Sequence, residues 1–370
     1  MKIIQTVRLK HTLLFMPLLA IALAASGCGS SGEAAAVSPS AEPAAGAASE
    51  PAAQATAVPA SAPSPEADLS GVTLRIGQVG WPEWEEGFKA AGLLDTPYHL
   101  SFSVFQGGNL ELEAIAADQL DFAITSEIPP IFASQAANQG SFKVIGVQRW
   151  NTLNQELVIP KGSVVTSVAE LKGKKIAYVP NTTAQYFLVK MLEGAGLSWK
   201  DIEPVKLTTA EGLSALVGGK VDALASYGNS IIAARQNGAT TLASAADILS
   251  GNFPVNVNTK SIDDPAKHAA IADFLERLTR YYTWTQNHQE QWAEITASNT
   301  HQKQAEVLDT LVNGDKQRPL KLEGISEQAI ASQQDIADTF TGLGLLPKKV
   351  DVSIIWSHAF DDDINAILKK

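Results

Sequence analysis

Five short segments carry side chains suited to holding an anion: Gly80-Trp81, Gly107-Gly108-Asn109, Thr125-Ser126-Glu127, Asn181-Thr182-Thr183 and Ser226-Tyr227-Gly228-Asn229. Pro180-Asn181-Thr182-Thr183 stands between a strand-like run and a helical one, where unpaired backbone N–H groups, hydroxyls and the positive end of a helix converge. Such a site binds an oxyanion without lysine or arginine. Any one Asn or Thr at a helix start more often only caps that helix, so the signal lies in several loops of the same kind. Gly107-Gly108 permits close backbone approach to a ligand. Thr125-Ser126-Glu127 leads into Pro129-Pro130 at another helix start. Trp81, Trp84, Trp150 and Tyr227, in or beside these loops, could pack on an organic tail.

Catalytic chemistry is poorly represented. Gly218-Gly219-Lys220-Val221 lacks the earlier glycine and the following Ser or Thr of a phosphate loop and reads as a turn before a strand. The six histidines, at 11, 99, 268, 288, 301 and 358, show no metal-binding spacing, and no G-x-S-x-G nucleophile elbow occurs. Asp361-Asp362-Asp363 reads as a solvated face or helix cap. No metal or cofactor is expected. Glu83, Glu85 and Glu127 are the carboxylates from which an enzyme reading could be built, and all three read as exposed. A net charge of −11 argues against a nucleic-acid partner.

The elements that position these loops alternate. Val72–Val79, Leu100–Phe105, Asp121–Thr125, Val144–Val147, Ile176–Val179 and Val221–Ala225 read as strands, with helical runs between them, which is the pattern of a largely parallel sheet flanked by helices. The spacing of Ser167 and Glu170 predicts a capping box. At roughly 150 residues per domain, 370 residues make two domains. Comparing the chain with itself at an offset of 101 pairs Leu112 with Leu213, Ile115 with Leu216 and Asp121 with Asp222, which predicts a structural duplication. Two like lobes imply a cleft, and ligands of open α/β sheets sit outside the carboxyl ends of the strands, where all five loops lie. Asp264-Pro265 predicts a helix start. Beyond it Ile271, Phe274, Leu275, Leu278 and Tyr281, then Trp284, Trp292, Ile295, Leu308 and Leu311, recur as helical core or groove filler and receive no ligand role.

Lys2, Arg8 and Lys10 precede an apolar run from Leu13 to Ala25, too short to cross roughly 30 Å of hydrocarbon, followed by small residues: a signal peptide over residues 1–27. Leu23-Ala24-Ala25-Ser26-Gly27-Cys28 resembles a bacterial lipobox, although Ala25 replaces the usual Leu. The only cysteine of the chain, Cys28, is thus the expected lipidation site and the membrane anchor. Residues 28–68 follow as an Ala-, Pro- and Ser-rich tether that cannot bury enough apolar surface to fold.

Leu74-Arg75-Ile76-Gly77, Asp121-Phe122 through Pro129-Pro130-Ile131-Phe132, and Val168-Ala169-Glu170-Leu171-Lys172-Gly173-Lys174-Lys175-Ile176-Ala177 make the chain resemble the lipoprotein substrate-binding proteins of ABC importers for aliphatic sulfonates, taurine and nitrate. The resemblance runs from about Leu74 to the end. It implies a type II periplasmic-binding-protein-like α/β fold, each lobe a mixed, mainly parallel sheet, with residues 69–157 plus 256–370 as lobe I and 158–255 as lobe II. It also implies a monomer that binds a small anion, a sulfonate first, and passes it to the permease and ATPase subunits outside the cytoplasm. A thiamine-precursor pyrimidine, nitrate or bicarbonate are the alternative ligands; a pyrimidine would need stacking aromatics plus a carboxylate such as Glu127. Asn181-Thr182-Thr183-Ala184-Gln185 stands where the family often has Gly-Ser-Ser-Ala-His, and Glu127 where Asp is more usual. Ser226-Tyr227-Gly228-Asn229 replaces a common Trp-Asp-Pro-Tyr, which puts simple alkanesulfonates in doubt. A desulfinase relative uses a cysteine nucleophile, and here the one cysteine lies in the signal. With Gln78 and Gln185 added, the candidate ligand-binding residues are Gln78, Gly80, Trp81, Gly107, Gly108, Asn109, Thr125, Ser126, Glu127, Trp150, Thr182, Thr183, Gln185, Ser226, Tyr227 and Asn229, with no catalytic residue.

Overall fold

Apolar, β-branched and aromatic runs at Thr73–Val79 (β1) and His99–Phe105 (β2) pair in parallel along their whole length. The helix between them, Glu83–Ala91 (α1), carries three glutamates in its first turn, favourable against the helix dipole, and stops at Gly92 in the left-handed conformation (φ 68°). Gly108–Ala116 (α2) returns the chain to Phe122–Ile124 (β3), parallel to β1. Ile128–Ala133 (α3), opened by the double proline, and Phe142–Arg149 (β4) complete the first pass. The structure, a computed structural model, describes residues 68–136 and 138–370. The expected signal peptide, Cys28 and all but the last residue of the tether lie outside the described residues.

The chain then crosses to a second sheet: Gln155–Ile159 (β5), Lys175–Tyr178 (β6), Thr183–Gly194 (α4), Glu203–Lys206 (β7), Thr209–Val217 (α5), Ala223–Tyr227 (β8), Asn229–Gln236 (α6) and Thr240–Ser244 (β9). It returns through Asn252–Asn258 (β10) and ends in Thr259–Asp263 (α7), Pro265–Asn287 (α8), Gln289–Thr300 (α9), Gln304–Gln317 (α10), Lys321–Glu323 (β11), Glu327–Gly342 (α11) and Asp361–Leu368 (α12). Asp264 caps α8 through the N–H groups of Ala266 and Lys267, with Pro265 in the first turn as expected. The expected capping box at Ser167 is instead a short 3₁₀ turn whose Glu170 accepts from the Thr166 N–H at 2.8 Å, one residue earlier.

The six-stranded sheet runs β11-β4-β10-β3-β1-β2 and the five-stranded one β7-β6-β8-β5-β9. In each, three parallel strands are followed by an antiparallel strand arriving from the other lobe, β10 in the first and β5 in the second. The offset of 101 carries α2 onto α5 residue for residue and β3 onto the first three residues of β8. The duplication expected from the sequence is thus present in the topology. The expected lobe boundaries, 157/158 and 255/256, need correction: they cut through β5 and β10, each hydrogen-bonded whole into one sheet. The chain passes between sheets at 150–154 and 245–251.

One face of the first sheet packs Phe88, Phe122, Phe274 and Tyr281 beneath α1 and α8; the other packs Leu112, Ile115, Phe142 and Trp356. The second sheet is covered by Phe187, Leu188 and Leu192 of α4, joined by Phe340 of α11, and on its far side by Leu216 and Ile231. β5 is buried at every position, as suits a central strand. The two crossings lie side by side, with the Trp150 N–H donating to the Gly251 oxygen at 3.1 Å. Gly251 has φ 77°, and a Cβ there would stand 2.5 Å from the Trp150 carbonyl oxygen, so only glycine fits.

Candidate ligand-binding cleft

Strand ends of both lobes and the first turns after them enclose a cavity of about 310 Å³. β1 contributes Gln78 and Val79; Gly80, Trp81, Glu83 and Trp84 follow it. Gly108, Thr125 and Ser126 come from the next loops of lobe I, Trp150, Asn154 and Gln155 from the first crossing and β5, and Thr182, Thr183, Tyr227, Gly228 and Asn229 from lobe II. Of the candidates read from the sequence, Gln78, Gly80, Trp81, Gly108, Thr125, Ser126, Trp150, Thr182, Thr183, Tyr227 and Asn229 line it.

Gly107, Asn109, Glu127, Gln185 and Ser226 are not among the lining residues, and four have evident other roles. Gly107 precedes α2 as its N-cap. Glu127 is buried, with its carboxylate accepting from the Ser250 hydroxyl and, at 3.1 Å, from Asn252; it ties the post-β3 loop to the second crossing. Gln185 accepts the Asn181 N–H at 2.8 Å and so holds Asn181 in its left-handed conformation (φ 58°). Ser226 is wholly buried against the Ser230 hydroxyl at 2.6 Å. Nothing in the structure explains Asn109 beyond its place in the first turn of α2.

Two of the threonines in the wall are already satisfied. Thr182 donates to the Val179 oxygen and accepts from the Ala184 N–H, the ordinary cap. Thr125 donates to the Ser126 oxygen and accepts from Asn256. The Ser126 and Thr183 hydroxyls have no such partner among the described residues. Gln78 spends its amide oxygen on the Trp84 N–H at 2.8 Å, and its amide nitrogen is buried with no partner. An N–H donor held this way at a cavity wall costs free energy until something accepts from it. The first turns of α2 and α6 also lack a side-chain cap, which leaves their N–H groups for a guest.

The rest of the wall was not expected from the sequence. Tyr282, Trp292, Thr296, Gln302, Thr310 and Leu311, from α8, α9, α10 and the α9–α10 turn, close one side. Trp292 and Leu311, read as filler, face the cavity, and the Trp292 ring lies 5.5 Å from that of Trp81 at 31°. The α9–α10 hairpin also reaches lobe II: Gln302 donates to Asn229 at 2.9 Å and Gln236 to Glu306 at 3.2 Å. Glu83, read as exposed, is enclosed by protein yet keeps part of its surface open to the cavity. Burial pushes its carboxyl up to about 7, against the pull of the Tyr281 hydroxyl, which donates to it at 3.2 Å. No Lys, Arg or His lines the cavity among the described residues. No cluster of metal-ligating side chains occurs among them either.

A family model described as NMT1/THI5 like matches residues 101–292, more than half of the chain. The chain belongs to the NMT1/THI5-like family. Among solved structures it is similar to the periplasmic aliphatic sulphonate binding protein SsuA from Escherichia coli, 28% identical, with a TM-score of 0.64 over 77% of this chain and 92% of that one. It is also similar to the alkanesulfonate-binding protein SsuA from Xanthomonas axonopodis pv. citri bound to MOPS, 25% identical, with a TM-score of 0.69 over 78% of this chain and 99% of that one. The periplasmic nitrate-binding protein NrtA from Synechocystis PCC 6803 shares the fold at 11% identity (TM-score 0.62, 80% of this chain and 89% of that one). As an NMT1/THI5-like chain it has the two-lobed α/β architecture expected from the sequence, with its cavity where the strand ends of the two lobes meet.

Proposed function

We propose that this protein is the extracytoplasmic solute-binding receptor of an ABC importer, capturing a small organic oxyanion, a sulfonate, and delivering it to the permease. The observation that carries the reading is the buried, unpartnered Gln78 amide nitrogen in a cavity also lined by Ser126 and Thr183, whose hydroxyls have no partner among the described residues: a donor set for an oxyanion that needs no cationic side chain. Its similarity to two sulfonate-binding proteins supports the same ligand class. The receptor is a binder and no enzyme, works as a monomer, is held to the membrane by lipid on Cys28, and displays its lobes, 68–149 with 252–370 and 155–244, on the tether. The lobes close on the ligand by rotation about the paired crossings.

A second reading, a receptor for a thiamine-precursor pyrimidine, is favoured by the tilted Trp81–Trp292 pair and by a carboxyl in the cavity, Glu83 in place of the expected Glu127. A thermal-shift series with alkanesulfonates, aminosulfonates, nitrate, bicarbonate and thiamine-related pyrimidines separates the two. A sulfonate at about 100 times its dissociation constant raises stability by about 2.7 kcal/mol, and none of it is turned over. A shift with pyrimidine or inorganic anion alone overturns the sulfonate assignment.

A further inference from the structure

A buried carboxyl is costly unless its neighbours satisfy it, and Glu127 is buried one residue beyond Ser126 of the cavity wall without itself reaching the cavity. One of its oxygens accepts from the Ser250 hydroxyl, the other from the Asn252 amide at 3.1 Å. Asn252, the first residue of β10, accepts in turn from Arg149 at the end of β4, and its backbone N–H donates to the Ser250 hydroxyl at 3.0 Å. Between them Gly251 accepts from the Trp150 N–H. Each residue from 250 to 252 is thus held, and Glu127 holds two of the three. The Glu127 carbonyl oxygen is fixed as well, by the amide of Gln333 of α11 at 2.9 Å. A carboxylate is the group this place requires: Ser250 and Asn252 both offer donors, and a carboxamide oxygen and nitrogen could not accept from both.

Rotation of one lobe against the other has to be taken up where the chain crosses, at 150–154 and 245–251. With Ser250 and Asn252 seated on Glu127, the lobe I end of the second crossing is fixed and the torsion falls on the residues before it. The backbone of Glu127 also continues directly into Ser126, so a displacement of the crossing at Ser250 pulls on the residue that carries the cavity hydroxyl. We infer that Glu127 is a positioning residue for ligand binding: through Ser250 and Asn252 it locks the second crossing to the Thr125-Ser126 loop, so that the Ser126 donor is in place only when the hinge is seated. The role rests on the proposed oxyanion site, in which Ser126 is a donor.

The test exchanges donor and acceptor. Glu127→Gln sets an amide nitrogen against that of Asn252. Glu127→Gln combined with Asn252→Asp restores each partner with the roles reversed: the carboxylate at 252 accepts from the amide at 127 and from Arg149, and Ser250 still donates to the oxygen at 127. Affinity for butane-1-sulfonate is read by calorimetry, and closure by the fall in radius of gyration at saturating sulfonate in small-angle X-ray scattering. The expected result is binding about tenfold or more weaker in Glu127→Gln with a smaller fall in radius, and recovery of both in the double variant, the affinity to within about threefold of the unmutated protein. Glu127, Ser250 and Asn252 are not in the cavity wall, so a lost contact to the ligand does not account for the change. Ser250→Ala, which removes one tie and no charge, serves if Glu127→Gln folds poorly, and is expected to weaken binding about threefold. Unchanged affinity in Glu127→Gln or Ser250→Ala overturns the role, as does a double variant that regains its melting temperature but neither affinity nor closure; each leaves the sulfonate receptor standing. If the unmutated protein does not bind butane-1-sulfonate, the sulfonate reading falls and the positioning role falls with it.

Discussion

Asp121 and Asp222 close the same backbone bracket in the two lobes. The Asp121 N–H donates to the Arg75 oxygen at 2.9 Å while its carboxylate takes the Arg75 N–H at 2.9 Å; Asp222 does the same with Lys175, at 2.8 Å in both directions. Each aspartate pins the turn before a parallel strand to the start of its neighbour. The lobe I copy is further built upon: its buried carboxylate also meets the Arg75 guanidinium at 2.7 Å, Lys267 at 2.6 Å and Ser261 at 2.7 Å.

Asp121→Asn is therefore expected to cost about 3 kcal/mol, since it strips one partner from a buried ion cluster, and Asp222→Asn, in a more exposed bracket, well under half of that. Burial pushes the Asp121 carboxyl up, but the Arg75 and Lys267 hydrogen bonds outweigh it and hold it well below the usual carboxylate range. Its contribution is thus complete above about pH 4 and fades as pH falls below that. Urea unfolding of both variants between pH 3 and pH 7 checks this: the Asp121→Asn penalty shrinks toward acid.

Gln78→Glu keeps an acceptor for the Trp84 N–H and replaces the buried, unpartnered amide donor of Gln78 by a carboxylate. Sulfonate affinity falls by about a hundredfold, and the newly buried carboxyl lowers the melting temperature modestly at neutral pH. Undiminished binding, measured by calorimetry, would remove Gln78 from the oxyanion site.

Glu111, in the first turn of α2, is fully buried, and neither of its oxygens has a hydrogen-bond partner. Burial holds its carboxyl well above the ordinary range, so the folded protein keeps a proton that the unfolded chain releases. Stability accordingly declines as pH rises from about 4. Glu111→Gln removes that decline and raises stability at pH 8 by about 1 to 2 kcal/mol, read by chemical denaturation at pH 5 and pH 8.

Gly251→Ala and Gly219→Ala both place a Cβ on a left-handed residue, but only at Gly251 is the space already filled. Gly219→Ala costs about 1 kcal/mol, the price of the conformation. Gly251→Ala costs about 3 kcal/mol, because its Cβ would press the second crossing against the Trp150 carbonyl of the first, and under the proposed rotation about the crossings it weakens ligand binding as well. Parallel melting and binding curves distinguish the two.

Local pattern carried much of this molecule. Strand and helix alternation, the Asp264-Pro265 cap and the position of the five loops at strand ends are short-range signals, and the repeat at 101 residues is a comparison of such signals; each is found in the structure. What local pattern does not carry is the partner of a buried group. Glu127 meets Ser250, 123 positions away, so nothing near it in sequence marks it as a tie to the crossing. Helical spacing likewise shows that Trp292 faces inward but not whether it faces packed core or a void, since a ring lining a closed cavity is as hidden as one in the core. Glu83 was misplaced for the converse reason: a helix's first turn is normally wet, and here α8 and α9 cover it.

The α9–α10 hairpin has no counterpart in lobe II. A frame made of two like halves would by itself greet a guest in the same way from either direction. One unpaired appendage, leaning across from the first half to Asn229 and Gln236 of the second, gives the two ends of the chamber different chemistry, so a bound molecule has a defined head and tail.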